Sequence, residues 1–544
     1  TSTGSFGRLG VGIAQPTADK VAHFHGFADG FGYIQISDAN IGGSSTDGLR
    51  IGYNSGVARI QNFENSDMQL MVNTSTEALR LESDGSVTMP TANATLSGSF
   101  TSTGSFGRVN TITGFFEGGS KISDYLIKPV NPNQILLAVK KVLDGKRLLS
   151  EKAMGDYQKE FRDIGMKLMD RMDIEDWYDV YGRLVFWDIE LRKAEDQSMQ
   201  DVLNMQFDDA NRQFGKFIEG GYEGWVSAGD EAGVPLMSHR VLPTVLPKVI
   251  EEADGRPTYL VVIDNLRLDQ WQTIAPQLKD SFRVTENSSY LSILPTSTQY
   301  ARNALFAGMM PADIQRITPQ YWKTEEDEGS KNQFEEELLN GLLSRLGIEG
   351  KTSYHKVTNL AAGKKLADSF HETKGEVLTT VVYNFVDMLS HARTDMDVIK
   401  ELADDEAAYR SLTLTWFEHS ALKELFEKMA ESGGRVIVTT DHGTVRVKQE
   451  VKVKGDRSTN SNLRYKVGRN LGYDAKEVFE CSDPEKFGLP KQNLSTGYVF
   501  ARDKDFFVYP NNYHQFVKYF KDTFQHGGVS LEEMVVPLAI LDAK

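Results

Sequence analysis

The spacing of hydrophobic positions changes along the chain, and each change marks a different kind of element. Over residues 1–116 short apolar runs alternate with polar ones, as in Gly48-Leu49-Arg50-Ile51-Gly52-Tyr53 and Ala78-Leu79-Arg80-Leu81, the latter followed by Ser83-Asp84-Gly85. Period-two alternation broken by Asp-Gly predicts strands and hairpin turns, so this stretch reads as a β-rich segment. Within it the octet Thr1-Ser2-Thr3-Gly4-Ser5-Phe6-Gly7-Arg8 recurs at Thr101 to Arg108, which points to a duplicated β unit. Residues 117–149 carry a short apolar strand, Asp124-Tyr125-Leu126-Ile127, ending in Lys128-Pro129, and then a helical pattern at Ile135, Val139, Val142 and Leu143. From 150 to 233 the apolar positions fall three or four apart (Tyr157, Phe161, Ile164, Leu168, Met172, then Trp177, Tyr181, Val185), predicting about three helices in a bundle or spacer. From 234 to 544 apolar runs alternate with helical patterns, which predicts an α/β sheet covered by helices on both faces.

Composition sharpens the first boundary. Residues 1–120 hold 19 of the 47 Gly but only 6 of the 60 Lys and Arg and no Trp, so two modules of different origin are read as joined near Gly118-Gly119. The net charge of −16 argues against broad coating of nucleic acid or an anionic membrane. A lone Cys481 excludes a disulfide framework and Cys-rich zinc modules. No apolar stretch approaches the ~20 residues that span a bilayer, and the start has no secretory pattern. A cytoplasmic protein without membrane contact is the expectation.

The chemistry is concentrated in the last unit. Tyr259-Leu260-Val261-Val262-Ile263 ends at Asp264; Val381 to Val386 ends at Asp387, with His391 four residues on; Val436 to Thr440 ends at Asp441-His442; His526-Gly527-Gly528 precedes a fourth apolar run. In open α/β sheets ligands gather beyond the carboxyl ends of the strands, so these groups are expected to converge. Three Asp and three His suit zinc-like ions bound through nitrogen and oxygen. Between the first two runs, Pro295-Thr296-Ser297-Thr298-Gln299-Tyr300 opens a helical pattern. A hydroxyl at a helix start beside divalent ions is placed to act as a nucleophile, and the helix amides to receive an anionic phosphate. Arg302 and Asn303, one turn further, are candidates for binding a nonbridging phosphate oxygen. The basic residues from Arg446 to Arg469 read either as the approach for a charged backbone or as a solvated loop. His355, His419, His514 and Cys481 read as structural.

The order Asp, Thr, Asp-x-x-x-His, Asp-His, late His resembles the alkaline phosphatase superfamily. More closely, residues 235–544 resemble a PglZ domain, and 121–544 resemble the PorX-like family of receiver–helical–PglZ response regulators. Residues 1–116 resemble the β repeats of phage tail fibres. The resemblance implies an alkaline-phosphatase-like sheet and a two-zinc phosphodiesterase: Asp264, Asp441 and His442 on one Zn2+, and Asp387, His391 and His526 on the other. Thr298 is the implied nucleophile, with Thr296 the competing hydroxyl, because nucleotide pyrophosphatase relatives carry Gly ten residues after their Thr, as Gly308 follows Thr298. In-line displacement through a phospho-threonyl intermediate is the implied route. Nucleotides or oligonucleotides, linear or cyclic, are the implied substrates, and a homodimer, a sensor histidine kinase and control of type IX secretion the implied regulatory setting. Only the last strand and helix of the receiver are present, at 117–149, which places phosphorylation control in doubt and makes a chimera or a domain replacement the plain explanation. Two readings of other classes compete: a regulator that senses nucleotide without turnover, and a trimeric fibre or adhesin built on residues 1–116.

Overall fold

The computed structural model describes residues 31–36, 48–54, 57–64, 66–72, 76–84, 86–88, 156–193, 197–228, 233–395 and 401–544, except 326, 402, 404, 457, 458, 492 and 494. The repeated octets, the Gly118-Gly119 junction and the receiver-like stretch 117–149 lie outside the described residues. The chain divides into two units, 1–120 and 121–544. In the first, strands Phe31–Ile36, Leu49–Asn54 and Val57–Asn62 pair antiparallel in sequence order. Met68–Val72, Thr76–Leu81 and Val87–Thr88 form a second antiparallel sheet. Both runs read as strands from the sequence, Leu49 to Tyr53 and Ala78 to Leu81, fall within these strands.

The described residues of the second unit begin with helices. Residues 156–169 are helical, followed by α1 (Ile174–Lys193) and α2 (Gln197–Ser227). α1 buries Trp177, Tyr181 and Val185, positions read from the sequence, together with Val180, Leu184 and Leu191, and Trp177 packs edge-on to Phe214 of α2. α3 (Ser238–Ala253) leads into the sheet. The sheet strands in chain order are β1 (Thr258–Ile263), β2 (Phe282–Leu291), β3 (Thr352–Val357), β4 (Leu378–Tyr383), β5 (Arg435–Thr439) and β6 (Val535–Ala543). Their spatial order is β2-β6-β5-β1-β4-β3. The four strands β3, β4, β1 and β5 run parallel; β6 runs against them, and β2, paired antiparallel with β6, runs in their direction again. Every residue of β1, β4 and β5 is buried, which is why they read as unbroken apolar runs: parallel strands are covered on both faces.

Alternate side chains serve two cores. Leu260, Val262, Val382 and Ile437 share one core with Trp177, Tyr181 and Phe214 of the helices, while Val261, Ile263, Val381, Val436 and Val438 face a second with Phe417 and Phe426. Helices α1 and α2 therefore close one face of the sheet. Polar ties reinforce this: Arg410 pairs with Asp188 of α1 (2.6 Å) and with Asp269 (3.0 Å), and the α2 residue Tyr222 accepts a hydrogen bond from Leu294 N (2.7 Å), just before the Thr298 segment.

Candidate active site

β1 lies between β4 and β5, so the three loops that leave their carboxyl ends meet. Asp264 follows β1 directly, and its N–H donates to Tyr383 O at the end of β4 (2.9 Å). Asp441 and His442 follow β5. Ligating atoms of Asp264, Asp441 and His442 lie within 4.8 Å of one another, and all three side chains are buried. The apolar run read through Val386 is two elements: β4 stops at Tyr383 and α4 (Phe385–Asp395) starts at once, with Asp387 in its first turn. Asp387 Oδ1 lies 3.8 Å from His526 Nε2, and the His526 and His442 rings stack with centroids 4.3 Å apart. His391 belongs to α4 by its backbone, but its side chain lies outside the described residues.

The two imidazoles share one arrangement. Nδ1 of His442 faces Gly443 O (3.0 Å) and Nδ1 of His526 faces Thr296 O (3.1 Å). A carbonyl only accepts, so each Nδ1 is the donor and each ring turns its Nε2 toward the carboxylates, the orientation in which imidazole ligates metal. Gly443 is required beside His442: a Cβ there would meet Glu532 O at 2.0 Å.

Thr298 opens a π-helical turn, Thr298–Arg302, that continues as the five-residue helix Asn303–Ala307. A π turn of this kind is a local irregularity often found at functional sites. It replaces the regular helix start expected from the sequence. Thr298 Oγ1 is half-buried and 3.2 Å from His442 Nε2. The competing Thr296 is fully buried; its hydroxyl donates to Gly528 O and accepts from Gly527 N, each at 3.0 Å. Gly308, ten residues beyond Thr298, ends the helix at φ 58°, where a Cβ would press on Leu342 Cδ1 at 2.7 Å. In this chain that spacing serves helix termination and packing.

Arg302 and Asn303 differ from expectation. Arg302 is fully enclosed, its guanidinium set among Asp264, Asp441 and Glu335. Asn303 is also buried, and its amide donates to Gln299 O and Lys331 O. Both side chains are enclosed by protein in this structure, where the sequence reading has them open to a ligand. The basic stretch is corrected as well. Lys448, Lys452 and Lys454 are exposed, but Arg464 and Lys466 are buried on or beside a strand, Tyr465–Arg469, and Arg457 lies outside the described residues.

Sequence reading missed three supports. Asn265 sits at φ 63°, a left-handed conformation that Asn tolerates better than most residues, and donates through Nδ2 to Asp387 Oδ1 (3.4 Å) and Ser390 Oγ (3.3 Å). Its position between Asp264 and a turn was the available signal. Glu335, reached by Asn332, Tyr354 and Lys356, receives Arg302. Arg464 and Glu533 form a fully buried ion pair whose carboxylate also accepts from Gly528 N (2.9 Å) and Ser530 Oγ (2.6 Å), fixing the turn after His526. Nothing in the spacing of single charged residues announces the last two.

The electrostatics favour a cation. Burial pushes the Asp264 carboxyl well up against the pull of Arg302, with Asp441 and Asp387 adding to the rise. Burial would raise Asp441 too, yet Arg302 and His442 bring it down to about 2. Asp264 Oδ1 is in direct contact with Arg302 Nη2. Two buried carboxylates and a buried imidazole whose ligating atoms lie within 4.8 Å of one another suit a divalent ion with oxygen and nitrogen ligands.

Residues 243–541 match the family described as the BREX system PglZ alkaline phosphatase-like domain, and residues 147–226 match the PorX response regulator linker domain. No curated protein matches the chain. Among solved structures, similarity is found to an inactive murine ectonucleotide pyrophosphatase/phosphodiesterase 5 in complex with AMP (11% identity, 52% of this chain and 87% of that one, TM-score 0.36). It is also found to phosphonoacetate hydrolase from Sinorhizobium meliloti in complex with phosphonoformate (10% identity, 53% and 90%, TM-score 0.33).

Proposed function

This chain belongs to the PglZ alkaline phosphatase-like family, and on that premise we propose that it is a metal-dependent phosphodiesterase with Thr298 as its nucleophile. One observation carries the reading: Thr298 presents a half-buried hydroxyl 3.2 Å from His442 Nε2, beside the Asp264–Asp441 pair, while Thr296 is committed to the backbone. Asp264, Asp441 and His442 are assigned to one Zn2+, and Asp387, His391 and His526 to a second. When bound, such ions supply Lewis-acid activation of a hydroxyl and neutralise phosphoryl charge.

The chain's own residues do the positioning. The π turn presents Thr298 Oγ1 toward His442 Nε2; the hydroxyl gives up its proton to solvent, the bond from its oxygen to phosphorus forms, and the ester oxygen departs on the far side and takes a proton from water. Water then cleaves the phospho-threonyl ester and restores Thr298. The proposed substrates are nucleotide or oligonucleotide phosphodiesters; exposed Lys448, Lys452 and Lys454 shortly after His442 supply sequence-independent attraction for an anionic backbone.

The test is turnover of bis(p-nitrophenyl) phosphate and of short oligonucleotides by the full chain. Activity should disappear on chelation and return with zinc. No turnover by the zinc-loaded protein would reject the proposal, and tight nucleotide binding without product would favour the sensor reading in its place.

A further inference from the structure

Arg302 and Arg464 are the two arginines fully enclosed among the described residues, and Arg302 lies against the proposed metal ligands. Its Nε donates to Asp441 Oδ2 (3.1 Å), its Nη1 reaches Glu335 Oε1 (3.3 Å) and Asn384 Oδ1 (3.5 Å), and its Nη2 touches Asp264 Oδ1. The planar guanidinium thus joins three buried carboxylates from three elements: the end of β1, the end of β5, and the helix that begins at Glu335. It is also the last residue of the turn that Thr298 opens.

Two physical consequences follow. A rigid fork bonded on several sides fixes the Thr298 turn relative to Asp264 and Asp441. And a permanent positive charge set against the same oxygens that would take a divalent ion repels that ion, strongly so in a dry interior. Glu335 and Asn384 stand on the other side of the guanidinium. They leave Arg302 partnered when Asp264 and Asp441 turn toward an ion, so exchange does not strand a buried charge.

We propose that Arg302 is a built-in counter-cation: it holds the Asp264–Asp441 pair and the Thr298 turn in register before an ion arrives, and it weakens ion binding there enough to keep the ion exchangeable. The inference rests on the metal-dependent reading above. It makes Arg302 a positioning residue that also sets metal affinity.

Zinc chloride titrated into chelator-treated full-length protein, followed by calorimetry and by competition with a fluorescent chelator, tests it without reference to activity. Arg302→Met should bind zinc about ten-fold tighter or more, since a like charge has left a low-dielectric site, while its kcat falls through loss of the fork. Arg302→Lys keeps the charge and should hold zinc affinity within about three-fold of wild type, yet not restore kcat. Glu335→Gln weakens the alternative partner, presses the guanidinium toward Asp264 and Asp441, and should weaken zinc binding several-fold.

Unchanged or weaker zinc binding by Arg302→Met overturns the inference and leaves the phosphodiesterase reading standing. If Arg302→Met shows no cooperative melt, Arg302→Lys and Glu335→Gln decide: normal zinc affinity with lowered kcat in the first and weakened zinc binding in the second support the inference, and any other pattern rejects it. Wild-type protein that binds no zinc removes the metal reading itself, a result visible before any variant is made.

Discussion

Thr298 Oγ1 faces His442 Nε2 at 3.2 Å, whereas Thr296 Oγ1, two residues earlier, is locked between Gly527 N and Gly528 O. The two hydroxyls should therefore fail in different ways. Thr298→Ala should lower kcat by about three orders of magnitude or more, as removal of a covalent nucleophile does, with little change in the melting temperature. Thr296→Val should leave Gly527 N and Gly528 O without their partner and destabilise the fold by about 1–3 kcal/mol, while preserving the phospho-threonyl route. Phosphodiester turnover alongside urea denaturation separates them. If Thr296→Val abolishes covalent labelling and Thr298→Ala does not, the nucleophile has been assigned to the wrong residue.

Arg464 and Glu533 are both fully buried and bonded to each other at the turn that carries His526. Removing one partner leaves an uncompensated charge in the interior, so Glu533→Leu should cost about 3–5 kcal/mol. The double change Arg464→Met with Glu533→Leu removes both charges and should recover part of that loss, because a buried ion pair gains little over well-packed apolar groups. Urea melts of the two single variants and the double variant measure the coupling; strict additivity would mean that the pair does not act as a unit.

The sheet was legible because its parallel strands are buried on both faces and so appear as unbroken apolar runs, and each run ends in the acid that the fold turns toward its neighbours. Convergence of Asp264, Asp387, Asp441, His442 and His526 could be expected on that ground; their division into two ligand sets came only from the family resemblance. What could not be read was how a side chain leaves an irregular turn. Thr298 opens a π turn, not a regular helix, and Arg302 and Asn303 at its end are buried. Spacing also does not encode long-range charge pairing. Glu335 is one of three consecutive glutamates and Glu533 one of two, with nothing to set them apart from their neighbours, and their partners Arg302 and Arg464 lie 33 and 69 residues away. The segment from Arg446 to Arg469 misled for the same reason: burial of Arg464 and Lys466 depends on strands that pair with it from later in the chain, such as Thr496–Phe500.

Lys466 makes the pH dependence testable. Burial brings its ammonium down to about 7 against the opposing pull of Glu325; Nζ donates to Asn460 O (3.0 Å) and lies 4.6 Å from the centre of the Tyr509 ring. In the unfolded chain a lysine titrates near ~10.4. Between about 7 and that value the unfolded state binds the proton and the folded state does not, so this residue makes stability rise with pH across the window. Below about 7 both states are charged and the full cost of burying the ammonium is present. Lys466→Met removes the titration, so its stability should gain most over wild type at pH 6–7 and the advantage should shrink steadily toward pH 10. Taking the difference between the two proteins cancels, to first order, groups that titrate alike in both. Urea midpoints from pH 6 to pH 10 give the comparison, and curves that run parallel throughout would show that Lys466 stays charged in the folded protein.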